Sequence, residues 1–84
     1  MAYSQFELDQ KLSENLSTLE QLRYFERIIG TRHRVAEANT YDSREYKEIV
    51  LEAYQEYLDA VRNNIKLREE FEQALQRAQR EASR

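Results

Sequence analysis

The sequence contains no cysteine, no proline, no tryptophan and a single glycine among its 84 residues. Without cysteine, the chain has no disulfide framework and no thiolate nucleophile, and this composition is compatible with the reducing cytoplasm. Without proline, and with glycine restricted to Gly30, long segments contain nothing that would interrupt a helix. We therefore expect an all-α protein of the cytoplasm.

A surplus of positive charge is also missing, since 13 Lys and Arg residues stand against 16 Asp and Glu residues for a net charge of -3 at pH 7. Nucleic-acid binding rests on such a surplus, so the balance argues against a nucleic-acid partner. No segment approaches the roughly 18 consecutive apolar residues of a membrane span. The N-terminal residues also lack the basic and apolar regions of a secretory signal. We expect a soluble protein without a membrane partner.

The residue types that carry catalysis are scarce as well. One histidine, no cysteine and no glycine-rich loop provide neither an activated nucleophile nor a phosphate-binding loop. Carboxylates are numerous, but long solvated helices offer no pocket in which they could act. The sequence therefore predicts no enzyme, and it indicates no catalytic residue, no cofactor and no metal site.

Helical periodicity is clearest in the second half of the chain. The segment Asp42-Ser43-Arg44-Glu45 resembles a helix start, because a short oxygen-bearing side chain can accept hydrogen bonds from the first free amides. Apolar residues then recur at helical steps, which keep them on one face: Tyr46, Val50, Ala53, Tyr57, Val61, Phe71, Leu75, Ala78 and Ala82. This pattern predicts a helix over about residues 43–82, with those residues forming its seam.

A capping box, Ser4-Gln5-Phe6-Glu7, predicts the start of a first helix near Gln5. A heptad pattern follows it, with Leu12, Leu19, Glu26 and His33 at position a, and with Leu8, Asn15, Leu22, Ile29 and Ala36 at position d. The pattern predicts a helix over about residues 5–38 and a turn over about residues 39–42.

Gly30 leaves two topologies open. It could end the first helix, with a short separate helix from about Arg32 to Ala38, or the helix could continue through it. Folding the chain as a long antiparallel hairpin supports continuation, because Leu8 then meets Leu75 and the polar Asn15 faces Arg68. We therefore predict a single domain built as a coiled-coil-like helical hairpin.

Both predicted helices carry further apolar residues outside the predicted seam, and a lone hairpin would leave them in water. They are candidates for an interface, and the tyrosines among them offer a large contact area at low entropic cost: Leu16, Tyr24, Phe25, Ile28, Leu51, Tyr54, Leu58 and Ile65. A homodimer that forms a four-helix bundle is the preferred interpretation. A groove for another protein's helix is the alternative.

The one basic cluster of the sequence contains Arg32, His33 and Arg34, which could contact a phosphate or a carboxylate. Acidic residues near the turn offset its charge, so a solvated, ion-paired surface is the preferred interpretation. His33 and Glu37 could supply half of a metal site, but a histidine of the seam or of the surface is favoured.

The leading functional hypothesis is a small non-catalytic interaction module, an adaptor, assembly factor or inhibitor, that presents a rigid helical surface to a protein partner. The alternative is a dimeric nucleic-acid-binding regulator that contacts phosphates through basic residues near the turn, namely Arg27, Arg32, Arg34 and Arg44.

Overall fold

The computed structural model describes residues 4–83, which form two long helices. Helix α1 spans Gln5–Ala38 and helix α2 spans Arg44–Ala82, and contacts from the turn to the open end show that the two lie antiparallel. The molecule measures 63 × 17 × 13 Å, as expected for a hairpin of this length at about 1.5 Å per residue. The predicted all-α helical hairpin is confirmed. Over the described residues, neither helix contains a segment long and apolar enough to cross a bilayer.

Serine side chains cap the first turn of both helices. Ser4 Oγ accepts a hydrogen bond from the Glu7 amide at 3.2 Å, and Ser43 Oγ accepts one from the Tyr46 amide at 3.0 Å. Each oxygen satisfies one of the amides that have no partner inside the helix. The capping residues of the sequence therefore set where each helix begins.

Lys47 closes the turn from the α2 side. Its Nζ donates to the carbonyl oxygens of Glu37 at 2.7 Å and Asn39 at 2.9 Å. Carbonyls at the end of a helix lack intrahelical donors and carry a partial negative charge, so an ammonium group is well placed there. The ring of Tyr41 packs edge-to-face on Tyr46 at 5.6 Å between centroids. The turn is thus held by side chains of α2.

Helix α1 runs through Gly30 without a break, and no described residue has a positive φ angle. The topology with a separate helix after Gly30 is therefore wrong. A Cβ atom at Gly30 would meet nothing within 4 Å. Neither the backbone conformation nor a close neighbour requires glycine at this position.

The face of α1 that packs on α2 is the predicted heptad face, since all nine of its residues are buried or half-buried. Within it, the Asn15 amide is 1% exposed. Asn15 Nδ2 donates to the Arg68 carbonyl oxygen at 2.9 Å, and Arg68 Nη1 donates to Asn15 Oδ1 at 3.3 Å. The contact between Asn15 and Arg68 is confirmed. A buried amide needs such partners, so the pair ties the two helices to one register.

The predicted seam of α2 is wrong in part, because α2 turns a different apolar strip toward α1. The exposed members of the predicted seam are Tyr46, Ala53, Tyr57, Phe71 and Ala82. Leu58, placed by the prediction outside the hairpin, is 5% exposed and lies between the helices, while Tyr57 is 52% exposed. The inner strip, as we call this buried and half-buried set, contains Leu51, Tyr54, Leu58, Val61, Ile65 and Leu75. Of the predicted seam, Val61 and Leu75 are buried, and Val50 and Ala78 are half-buried.

Side-chain shape and polar contacts account for this rotation of α2. The inner strip is mostly aliphatic, and leucine and isoleucine fill a narrow space between two helices without burying a polar atom. Tyr46 and Tyr57 on the other strip are more than half exposed, so their hydroxyl groups need no partner within the hairpin. The same rotation brings Arg68 to Asn15 and Lys47 to the end of α1. Both strips have helical spacing, so periodicity does not choose between them.

Candidate protein interaction surfaces

One long side of the hairpin is polar and is crossed by contacts between the helices. Arg23 pairs with Glu69 at 3.6 Å, and Arg62 Nε pairs with Glu26 Oε2 at 3.1 Å. Farther toward the open end, Gln79 donates to Asp9. These side chains are substantially exposed, so each contact contributes little to stability. This polar side has its own partners within the hairpin.

The opposite side carries large exposed apolar side chains from both helices. Phe71 of α2 lines one cavity with Lys11 and Thr18 of α1, which shows that these residues share a side. Phe25 lies one heptad beyond Thr18, and the other exposed α2 residues lie near whole helical turns from Phe71. We call this surface the apolar flank and define it by Phe25, Tyr46, Ile49, Tyr57, Leu67 and Phe71, each at least 43% exposed.

The open end of the apolar flank is concave. Phe71 and Lys11 also line a cavity of about 140 Å³ with Leu8 and Leu75, two core residues of the hairpin. The predicted meeting of Leu8 and Leu75 therefore holds, and their side chains form an apolar recess below the Phe71 ring. Such a recess can accept a side chain from a partner surface.

The structure does not bring the eight predicted interface residues together. Leu51, Tyr54, Leu58 and Ile65 belong to the inner strip, so the prediction that they form a separate exposed strip is wrong. Leu16 is exposed but shares the polar side, one heptad before Arg23. Of the α1 candidates, Phe25 lies on the apolar flank. Tyr24 and Ile28 lie on the back of α1, the side that is turned away from α2.

Sequence reasoning misplaced the α2 residues of the apolar flank. Tyr46, Tyr57 and Phe71 were assigned to the seam, while Leu67 and Ile49 were not singled out at all. A signal was present, since Ile49 and Leu67 extend the same helical row. The missing information was which of two rows faces α1.

A shallow groove lies on the back of α1, away from α2. We call it the arginine groove; its volume is about 280 Å³ and its lining consists of Tyr24, Arg27, Ile28, Thr31 and Arg32. Thr31 Oγ1 donates to the Arg27 carbonyl at 2.9 Å and accepts from Arg34 Nη2 at 3.3 Å. The groove thus has an apolar floor and arginines on its rim.

The predicted anion contact of Arg32, His33 and Arg34 does not form one cluster. His33 faces the seam, half-buried, and its Nδ1 lies 2.8 Å from Glu37 Oε1. Arg32 instead shares the groove with Arg27, which the sequence analysis names among the phosphate contacts of the nucleic-acid alternative. Among residues 4–83, no group of three or more His, Cys, Asp and Glu side chains is placed to hold a metal ion.

Compared with models of protein families, with characterised proteins and with solved structures, the chain matches none. The apolar flank and the arginine groove are therefore the two candidate functional surfaces of the hairpin.

Proposed function

We propose that this protein is a small, non-catalytic interaction module of the cytoplasm that packs the apolar flank of its rigid hairpin against another protein surface, and that this surface is a second copy of the chain. The supporting observation is the flank itself. Contiguous exposed apolar side chains on a small soluble protein mark interaction sites. Here Phe25 of α1 and five residues of α2 supply such side chains, each at least 43% exposed.

The small interior of the hairpin supports this proposal. Within the described part of the chain, six apolar residues and Asn15 are buried. Two packed helices enclose little, and small domains commonly gain stability through association. Burying one Leu or Phe side chain contributes about 1.5–3 kcal/mol, against about 5–15 kcal/mol for the stability of a whole domain. Covering several flank residues would therefore change the stability substantially.

Charge distribution favours a second copy as the partner. Apart from the polar-side residues Asp9, Arg23 and Glu26, the first half of α1 carries Glu7, Glu14 and Glu20 against Lys11, whereas its second half carries Arg27, Arg32 and Arg34 against Glu37. When two hairpins pack flank to flank with their turns at opposite ends, the acidic half of one α1 lies toward the basic half of the other. A two-fold axis also covers both flanks at once and produces a four-helix bundle.

Light scattering coupled to size exclusion tests this proposal. At micromolar concentration we expect twice 10.2 kDa for the native chain. Leu67→Glu should yield a folded monomer, because it places an unpaired carboxylate in the covered flank. Leu16→Glu is the matched control, since Leu16 is comparably exposed but lies on the polar side. A native chain that remains a folded monomer would rule out the second copy as the partner.

A further inference from the structure

The arginine groove lies on the face of α1 that a hairpin leaves in water. Tyr24, Ile28 and Thr31 follow one another at helical steps along a line opposite the heptad face that packs on α2. The Tyr24 ring lies 6.2 Å from that of Phe25, at the edge of the apolar flank. The groove therefore borders the flank but faces away from the inner strip.

The two lining arginines stand on opposite sides of this apolar line. At about 100° per residue, Arg27 and Arg32 project about equally far to either side of Ile28 and Thr31. A ligand that lies along the groove would contact apolar side chains at its centre and one guanidinium group on each side. An amphipathic helix with carboxylates beside its apolar row has the complementary pattern.

Within one hairpin, the groove arginines are free of competing acids. Over the described residues, neither Arg27, Arg32 nor Arg34 has a carboxylate within 4.0 Å, whereas Arg23, Arg44 and Arg62 each do. Guanidinium groups bind carboxylates through two parallel hydrogen bonds, and Tyr and Arg are enriched where binding energy concentrates. Positive charge is thus concentrated at this place on a chain whose net charge is -3.

From this arrangement we infer that the arginine groove is a second docking site and that it binds an acidic amphipathic helix of a partner protein. An apolar side chain of that helix packs on Tyr24 and Ile28, and carboxylates on its two sides bind Arg27 and Arg32. The apolar floor favours such a helix over nucleic acid, whose binding rests on phosphate contacts and a surplus of basic residues. The groove is formed by one hairpin alone, so its binding is also tested on the Leu67→Glu variant, in which the dimer is absent.

Fluorescence anisotropy of the full chain tests the inference with a labelled designed helix, in which glutamates flank a row of leucines. We expect saturable binding in the micromolar range and at least a tenfold loss in the double variant Arg27→Gln, Arg32→Gln. The double variant Arg77→Gln, Arg80→Gln is the matched control, because it removes the same charge from exposed positions of α2 and should bind normally. Circular dichroism verifies that both variants remain helical.

Two further experiments distinguish the apolar contact from the charge contact, and the groove from the dimer interface. A peptide with serine in place of leucine keeps the charge and should lose binding, because the apolar contact is gone. The Leu67→Glu variant, which is expected to be monomeric, should still bind the leucine peptide. Loss of the dimer and loss of peptide binding are therefore distinguishable. The inference is overturned if the leucine peptide does not bind, if both arginine variants bind it equally, if the serine peptide binds as well, or if duplex DNA or RNA competes through the same arginines.

Discussion

Helix α2 carries two apolar strips of the same helical spacing, of which one is buried and the other is exposed. The inner strip, centred on Leu58, packs against α1, whereas the aromatic strip with Tyr57 and Phe71 lies in water on the apolar flank. The inner strip is aliphatic and comes with Arg68, which binds Asn15 across the seam. The comparison teaches that apolar spacing identifies a helix, while side-chain shape and polar partners decide which strip faces inward.

Adjacent residues offer the strongest test of this comparison. Leu58→Glu should destabilise the hairpin by about 3 to 5 kcal/mol, because a carboxylate would be buried without a partner. Tyr57→Glu should change the stability by no more than about 0.5 kcal/mol, because that position is exposed. Urea unfolding followed by circular dichroism, with both changes made in the Leu67→Glu background, measures the single hairpin. Equal losses would mean that α2 is oriented differently.

A second test concerns the polar contact that accompanies the inner strip. Asn15→Ala should destabilise by about 1 to 3 kcal/mol, because the Arg68 carbonyl and guanidinium groups both lose a buried partner. Asn63→Ala is the control, since Asn63 is exposed on α2 and should have a much smaller effect. Matched urea titrations compare the two. If the Asn63 change were the costlier one, the register between the helices would be wrong.

The smallest expected effect is at Gly30, which lies on α1 outside both strips of α2. Gly30→Ala should stabilise the hairpin by about 0.5 to 1 kcal/mol, because alanine restricts the unfolded chain and its methyl group meets nothing within 4 Å. Thermal unfolding measures the change, and helical backbone chemical shifts across Ile29 and Thr31 serve as the structural control. A loss of stability would contradict a continuous α1.

Several features of the fold could be read from the sequence because they depend on local chemistry. Ser4 and Ser43 cap the helices as their sequence context indicates, and the heptad face of α1 has no competing apolar row of comparable regularity. Asn15 and Arg68 were matched as polar exceptions in two apolar patterns. A polar pair of this kind is more informative about register than another pair of leucines.

The rotation of α2 could not be read in the same way, and the arginine groove was missed for a different reason. Two strips of equal spacing on α2 leave its orientation undetermined until side chains are packed against α1. The groove joins Tyr24 and Ile28, predicted as interface residues, with Arg32, predicted as an anion contact. These residues all belong to α1, so helical geometry alone brings them to one face, whereas the prediction grouped Arg32 with its chain neighbours His33 and Arg34.

The Lys47 contacts have a consequence for the order in which the hairpin forms. Lys47 binds carbonyls eight and ten residues away in the chain, whereas Asn15 and Arg68 are separated by 53 residues. Closing a short loop costs less entropy than closing a long one, and local contacts form faster than distant ones. We therefore expect contacts between the helices to form first near the turn and then progressively toward the free ends. The Lys47 contacts would stabilise the first closed loop.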